Sequence, residues 1–129
     1  MERLLDDAVK VSSVQVAHED DRRRLSVIFN GDFVAQQAKI IEVKKDSILG
    51  NHYHSYAELF YILEGEATYF LKSVNTGEKR VVRLRKGDRL LIAPEIAHKA
   101  EMTAGTITIE ATEQLYMSPE VNDIKYEAE

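Results

Sequence analysis

Four side chains in this chain can share one chemical task. His52 and His54 stand in Gly50-Asn51-His52-Tyr53-His54-Ser55-Tyr56-Ala57-Glu58, and Glu58 closes that segment. On a strand, residues i and i+2 point to the same face, so the two imidazoles converge. Glu58 lies six residues after His52, with even parity, and returns to that face after a small kink. Two imidazoles and a carboxylate, with positions left open, form a common divalent-metal arrangement. Imidazole suits iron, copper, nickel and zinc, and the carboxylate widens the range to manganese. His98 follows the turn-rich stretch from Gly87 to Pro94 and is the available fourth ligand. His18 lies beside Glu19, Asp20 and Asp21 and reads as surface.

Strands must position these groups, and the composition supplies them. Valine (11), isoleucine (10) and threonine (6) cluster in short runs. β-Branched residues pack well on a pleated surface and lose rotamer freedom in helices. Turn residues recur at Asn30-Gly31-Asp32, Gly50, Gly65, Asn75-Thr76-Gly77, Lys86-Gly87-Asp88 and Gly105. Short apolar runs between such turns predict an all-β sandwich or barrel. The expected strands are 24–29, 34–43, 57–64, 66–74, 79–85, 89–93, 96–102 and 106–112, with shorter pieces flanking His52 and Pro94. Val82-Arg83-Leu84-Arg85 alternates apolar and cationic side chains. Residues 2–10 can start a short amphipathic helix or an exchanged arm, because Leu4, Leu5 and Val9 fall at helical spacing. The expected organisation is an N-terminal arm over 1–23, a barrel over 24–117 and a C-terminal extension over 118–129.

The 129 residues suit one domain, 44% hydrophobic and 30% charged. The absence of cysteine excludes disulfides, thiolate metal sites, iron–sulfur clusters and a thiol nucleophile. The longest apolar run, Leu59-Phe60-Tyr61-Ile62-Leu63, is far short of the roughly 20 residues of a membrane span. The first thirty residues hold no apolar signal core, so a cytoplasmic protein with no membrane partner is expected. A net charge of −5 argues against nucleic acid, whose binders neutralise phosphates with a basic surplus. Local cations at Arg22, Arg24 and Arg83 can instead receive an anionic small molecule, such as a phosphorylated metabolite, because guanidinium binds phosphate bidentately.

The spacing His52-x-His54-xxx-Glu58-xxxxxx-Gly65 resembles the first sequence motif of the cupin superfamily, and Gly87 followed by His98 resembles the frame of the second. There are departures. The first motif's leading glycine falls at Asp46. In the second motif the usual proline falls at Ala93, the usual glycine at Glu95 and the usual asparagine at Met102. The resemblance implies a double-stranded β-helix, a jelly-roll-like barrel. It also implies one divalent metal ion (zinc, iron, manganese or nickel) held by His52, His54, Glu58 and His98.

The segment from Gly50 to His54 is similar to cupins of polysaccharide biosynthesis, including domains that epimerise or isomerise nucleotide sugars. Asp21-Arg22-Arg23-Arg24-Leu25 and the ending Met117-Ser118-Pro119-Glu120-Val121-Asn122-Asp123 point the same way. The implied function is a sugar-nucleotide epimerase or isomerase. The alternatives are an iron-dependent dioxygenase and a non-enzymatic metabolite-binding cupin. Proton abstraction beside a carbonyl needs a base, and Tyr56 and Glu95 are the first candidates, ahead of Tyr69 and Glu110. A homodimer is expected, because barrels of this size often leave an apolar sheet face to bury. Metal affinity is expected to fall between about pH 7 and pH 5, as imidazoles of ordinary pKa take up protons.

Overall fold

Alternation of side chains decides the architecture. The structure is a computed structural model and describes residues 5–115 and 124–125. One helical turn, α1 (Leu5–Ala8), precedes twelve strands. These are β1 (Val9–Ser13), β2 (Val16–Glu19), β3 (Arg24–Ser26), β4 (Gln37–Glu42), β5 (Ser47–Tyr53), β6 (Glu58–Glu64), β7 (Glu66–Ser73), β8 (Lys79–Arg85), β9 (Asp88–Ile92), β10 (Ile96–Met102), β11 (Ile107–Thr112) and β12 (Ile124–Lys125). In β7, Ala67, Tyr69, Leu71 and Ser73 are buried and their neighbours less so. In β8, Val82 and Leu84 are buried while Arg83 and Arg85 face outward. The pleat thus turns a period of two into an inner and an outer face.

Two antiparallel five-stranded sheets result. The first has the order β1-β9-β6-β11-β4 and the second β12-β5-β10-β7-β8. Their apolar inner faces share a core that includes Phe60, Ile62, Leu71, Leu84, Leu90 and Ile92. Each such side chain contributes roughly 1.5–3 kcal/mol by leaving water. The arrangement is the jelly roll expected for a double-stranded β-helix. The β6–β7 turn needs Gly65, at φ 85°, because a Cβ there would lie 2.4 Å from the Thr106 hydroxyl. Among the described residues no helix is long and apolar enough to cross a membrane.

Four local expectations change. Residues 2–10 were open to a helix or an exchanged arm. Among the described residues Leu5–Ala8 is helical, and Val9–Ser13 pairs with β9 of the same chain. Its β-branched Val9 and Val11 sit opposite Ile92 and Leu90, where a strand packs better than a helix. The strand expected over 24–29 stops at Ser26. Ile28, Phe29 and Phe33 instead cover Leu59, Ala111 and Leu91 on the outer face of the first sheet. Arg89 tethers this cover by donating from Nη1 to the Ile28 carbonyl at 2.8 Å and by pairing with Asp32. The strand expected over 34–43 starts only at Gln37 for the same reason. The short pieces expected around His52 are one strand, β5, which carries a bulge. The ending Met117–Asp123 lies outside the described residues.

Candidate metal and substrate site

The site forms where β5 meets β10, with His52 opposite His98. Leu49 and His52 both line the space between the sheets, three residues apart, which a regular strand does not allow. Gly50 and Asn51 supply the correction. Both take positive φ, 102° and 66°, and the register shifts between His98 and Lys99. Such a bulge re-aims the side chains that follow it, and here it turns His52 inward. Only glycine fits the first position, since a Cβ on Gly50 would lie 2.7 Å from the His98 carbonyl oxygen. Glu95 is the second non-glycine residue at positive φ (65°) among the described residues. Its amide donates to the His54 carbonyl at 2.8 Å, and its own carbonyl accepts from Val74 at 3.1 Å. This turn ties the loop bearing His54 to the start of β10.

The structure brings the four expected ligands together. One nitrogen from each of His52, His54 and His98 lies within 4.8 Å of the others. Glu58 Oε1 stands 3.1 Å from His54 Nε2 and 3.7 Å from His98 Nε2. Neither contact is a well-aligned hydrogen bond, so this oxygen has no hydrogen-bond partner among the described residues. Glu58 is 1% exposed, and a bare buried carboxylate is costly. Burial pushes the His52 and His98 imidazoles down to about 4, so both are neutral at pH 7, as ligation requires. For His98 the Glu58 charge opposes that shift without cancelling it. Burial would raise the Glu58 carboxyl, yet its imidazole neighbours, His54 first, outweigh it and hold it below the usual range. With His98 neutral, the closer His54 contact is the stabilising one. Neutral imidazoles and an unsatisfied carboxylate oxygen fit a divalent cation. Two of the three imidazoles are thus already neutral across the pH 7–5 window in which protonation was expected to compete with a metal.

The other candidates separate. Tyr56 is 8% exposed and stacks on His54, with ring centroids 4.7 Å apart at 16°. The Glu95 side chain is exposed at the turn beside it. Tyr69 and Glu110 line a cavity of about 90 Å³ together with His52, Glu58 and His98. Arg24 lies in the β2–β3 hairpin and pairs with Glu19 at 2.9 Å, and Arg22 with Asp20 at 3.8 Å. Arg83 is outside: it lines a separate groove of about 720 Å³ with Arg85, Glu66 and Glu101. His18 is exposed and contacts Asp20 at 3.1 Å.

The cupin-domain pattern matches residues 39–110, more than half of the chain. The chain belongs to the cupin family. No curated protein matches it in sequence. Three solved structures share the fold at low identity. The sugar 3,4-ketoisomerase QdtA from Thermoanaerobacterium thermosaccharolyticum, in complex with TDP, is 21% identical with a TM-score of 0.75, covering 92% of this chain and 88% of its own. The TDP-fucose-3,4-ketoisomerase WlaRA from Campylobacter jejuni is 20% identical with a TM-score of 0.75, covering 90% and 87%. The dTDP-6-deoxy-D-glucose-3,5-epimerase RmlC from Legionella pneumophila Philadelphia 1, in complex with dTDP-4-keto-L-rhamnose, is 17% identical with a TM-score of 0.76, covering 92% and 72%.

One residue of this cavity escaped the sequence, and a second lies on the same inner face farther along the sheet. Lys39 lines the cavity, its Nζ 4.0 Å from Glu110 Oε1. Its even spacing from Ile41 was the available signal. Arg80 is half-buried and shares the face of Val82 and Leu84, on the rung that joins His52, His98 and Leu71. Extending the Val82–Leu84 parity backward by one step would have found it.

Proposed function

We propose that this cupin acts on a nucleotide-linked sugar, as an epimerase or isomerase of polysaccharide biosynthesis, with one divalent ion in its site. The convergence of three imidazoles on one buried carboxylate carries the reading. Its solved look-alikes, ketoisomerases and an epimerase, support the choice of substrate. His52, His54, Glu58 and His98 would hold the ion, which supplies Lewis-acid stabilisation to an oxyanion when bound.

The protein's own groups do the rest. Moving a carbonyl along a sugar, or inverting a neighbouring carbon, begins with loss of the proton beside the carbonyl. Tyr56 and Glu95 are the assigned acid–base pair. Stacking on His54 fixes the Tyr56 ring, and the strained turn places Glu95 beside the same loop. Arg80 is the cation assigned to the diphosphate. It stands two strands from His98, roughly 10 Å, which suits a ligand whose phosphates and reacting carbons are a sugar ring apart. Arg83 does not serve, because it faces the other groove. A cytoplasmic homodimer completes the reading. Ile40 (63% exposed) and Leu63 (40% exposed) leave apolar surface on the outer face of the first sheet, and light scattering tests the dimer.

Elemental analysis and incubation with a TDP-4-keto-6-deoxy sugar in D₂O under nitrogen test the function. About one ion per chain and deuterium uptake at carbons beside the ketone are expected. Metal-free protein that exchanges no deuterium sinks the proposal. Oxygen consumption by the iron form would make it a dioxygenase. Tight nucleotide binding without exchange would make it a binding module.

A further inference from the structure

Beyond the four ligands, the 90 Å³ cavity reaches a second carboxyl group. It is lined by His52, Glu58 and His98 together with Lys39, Tyr69 and Glu110. β11 pairs with β6 so that Glu110 faces Phe60 and Thr112 faces Glu58. The two carboxyls are therefore diagonal neighbours on one inner face, a distance long side chains can span. Two oxygens in this wall lack a hydrogen-bond partner among the described residues: Glu58 Oε1 and the Tyr69 hydroxyl. Buried polar groups left in that condition are costly. The cavity has room for on the order of three waters, and polar walls hold water where apolar ones stay dry.

Glu110 itself is well supported. Thr108 Oγ1 donates to its Oε2 at 3.3 Å, and Lys39 Nζ stands near Oε1. Burial, then the Glu58 charge, push its carboxyl up to about 8, against the pull of Lys39. A protonated carboxyl at this place can donate through water toward Glu58 Oε1, and so can a glutamine amide. We propose that Glu110 and the Tyr69 hydroxyl, acting through water in this cavity, form the hydrogen-bonded support that orients the Glu58 carboxylate toward the three imidazoles. Glu110 is thus a positioning residue for the metal centre. The inference rests on the reading that the four ligands hold a divalent ion.

Cobalt(II) titration with visible absorption tests both, on the full chain as wild type, Glu110→Gln, Glu110→Leu and Tyr69→Phe. Wild type should bind about one equivalent. Groups behind a metal ligand typically change affinity by 10–100-fold. Glu110→Leu should lose affinity in that range and change the shape of the cobalt bands. Glu110→Gln keeps a donor and should stay within about threefold of wild type. Tyr69→Phe should weaken binding by about three- to tenfold, and with Glu110→Gln it decides the matter if Glu110→Leu does not fold. No cobalt uptake by wild type removes the metal reading itself. Uptake by wild type with the same affinity and spectrum in Tyr69→Phe and Glu110→Leu keeps that reading and overturns this inference. Equal losses in Glu110→Gln and Glu110→Leu also overturn it, because the amide retains the donor.

Discussion

The two ends of the space between the sheets carry opposite chemistries, and single strands run through both. The inward residues of β6 are Glu58, Phe60 and Ile62, from charge to hydrocarbon. Those of β10 are Ile96, His98, Ala100 and Met102, one histidine among apolar residues. At the apolar end, Ile62 and Leu84 are almost completely buried with no polar atom to satisfy. At the polar end, Glu58, His54, His98 and Glu110 are as deeply buried, and Glu58 Oε1 lacks a hydrogen-bond partner. Burying unsatisfied polar groups destabilises a fold, and burying hydrocarbon stabilises it. The apolar end therefore holds the strands, and the polar end uses that rigidity to keep its ionisable groups buried and close.

Removing hydrocarbon from the apolar end should have the largest effect. Ile62→Ala empties a fully buried position in β6 and should cost about 2–5 kcal/mol, the usual range for such truncations. The candidate ligand Glu58 sits two inward positions away on the same strand. If the ends divide labour, cobalt affinity should stay within about threefold of wild type once the protein is folded, since outer supports rather than distant core residues tune ligands. Urea unfolding beside cobalt titration measures both. A variant that keeps its stability but loses its metal would invert the comparison.

How much of this was legible before the fold depended on which physics set each residue. The strands at 79–85 and 106–112 followed from local alternation, and those at 57–64, 66–74 and 96–102 from short apolar runs between turn residues. The convergence of His52, His54, Glu58 and His98 was legible in residue type and spacing. What alternation could not supply was the bulge. Parity from Leu49 predicts His52 facing out, and only a backbone at positive φ at Gly50 and Asn51 reverses it. Ile28 and Phe29 were misread as the end of a strand because they pack on the outside of the first sheet, a tertiary fact with no local period. Arg80 and Lys39 were passed over for the same kind of reason: a cation in a strand reads as solvent-facing until the register shows which face is inner.

Gly50→Ala breaks the junction between the ends. The new Cβ would meet the His98 carbonyl oxygen at 2.7 Å, in a backbone region that L-residues resist. Strain of that kind costs about 1–3 kcal/mol. The contact is backbone on β10, so relief requires His98 to move. The expected result is a stability loss smaller than that of Ile62→Ala together with at least a roughly tenfold loss of cobalt affinity. Unchanged affinity would show that the bulge does not aim His52.

The two ends also differ in their response to pH. The apolar end has nothing to titrate. At the polar end His52 and His98 have pKa values near 4 when folded, against an ordinary value of 6.5. Between those values the unfolded chain holds more protons, so stability falls as pH falls through the window. Glu110 has the opposite sign. Its folded value of about 8 lies above the ordinary 4.5, the folded chain holds the proton, and stability falls as pH rises from 4.5 toward 8. Each group contributes a slope of at most about 1.4 kcal/mol per pH unit. Below pH 6.5 the two histidines outweigh the one glutamate, so metal-free protein should be most stable near pH 6.5. Glu110→Gln should remove the alkaline decline and leave the acid one. Unfolding curves from pH 4 to 9 without metal check this, and an unchanged alkaline arm in Glu110→Gln would assign that arm to another group.

The smallest effect is expected furthest from both ends. His18 sits on β2 in the two-stranded β2–β3 sheet, where every residue is exposed. It contacts Asp20, whose carboxyl also accepts the backbone amides of Arg22 and Arg23 at 2.9 and 3.0 Å. Those amides, Arg22 first, hold the Asp20 carboxyl below its usual range with His18 adding to them, so the turn keeps most of its support without the imidazole. His18→Ala should therefore leave cobalt affinity, the cobalt spectrum and the urea midpoint within error of wild type. Because it removes a histidine as surely as His54→Ala does, it separates loss of the site from loss of any imidazole. His54→Ala should abolish the cobalt bands under the same conditions. A drop in cobalt affinity on His18→Ala would mean that the hairpin folds over the histidine cavity, and the division between a working end and an idle surface would have to be redrawn to include β2.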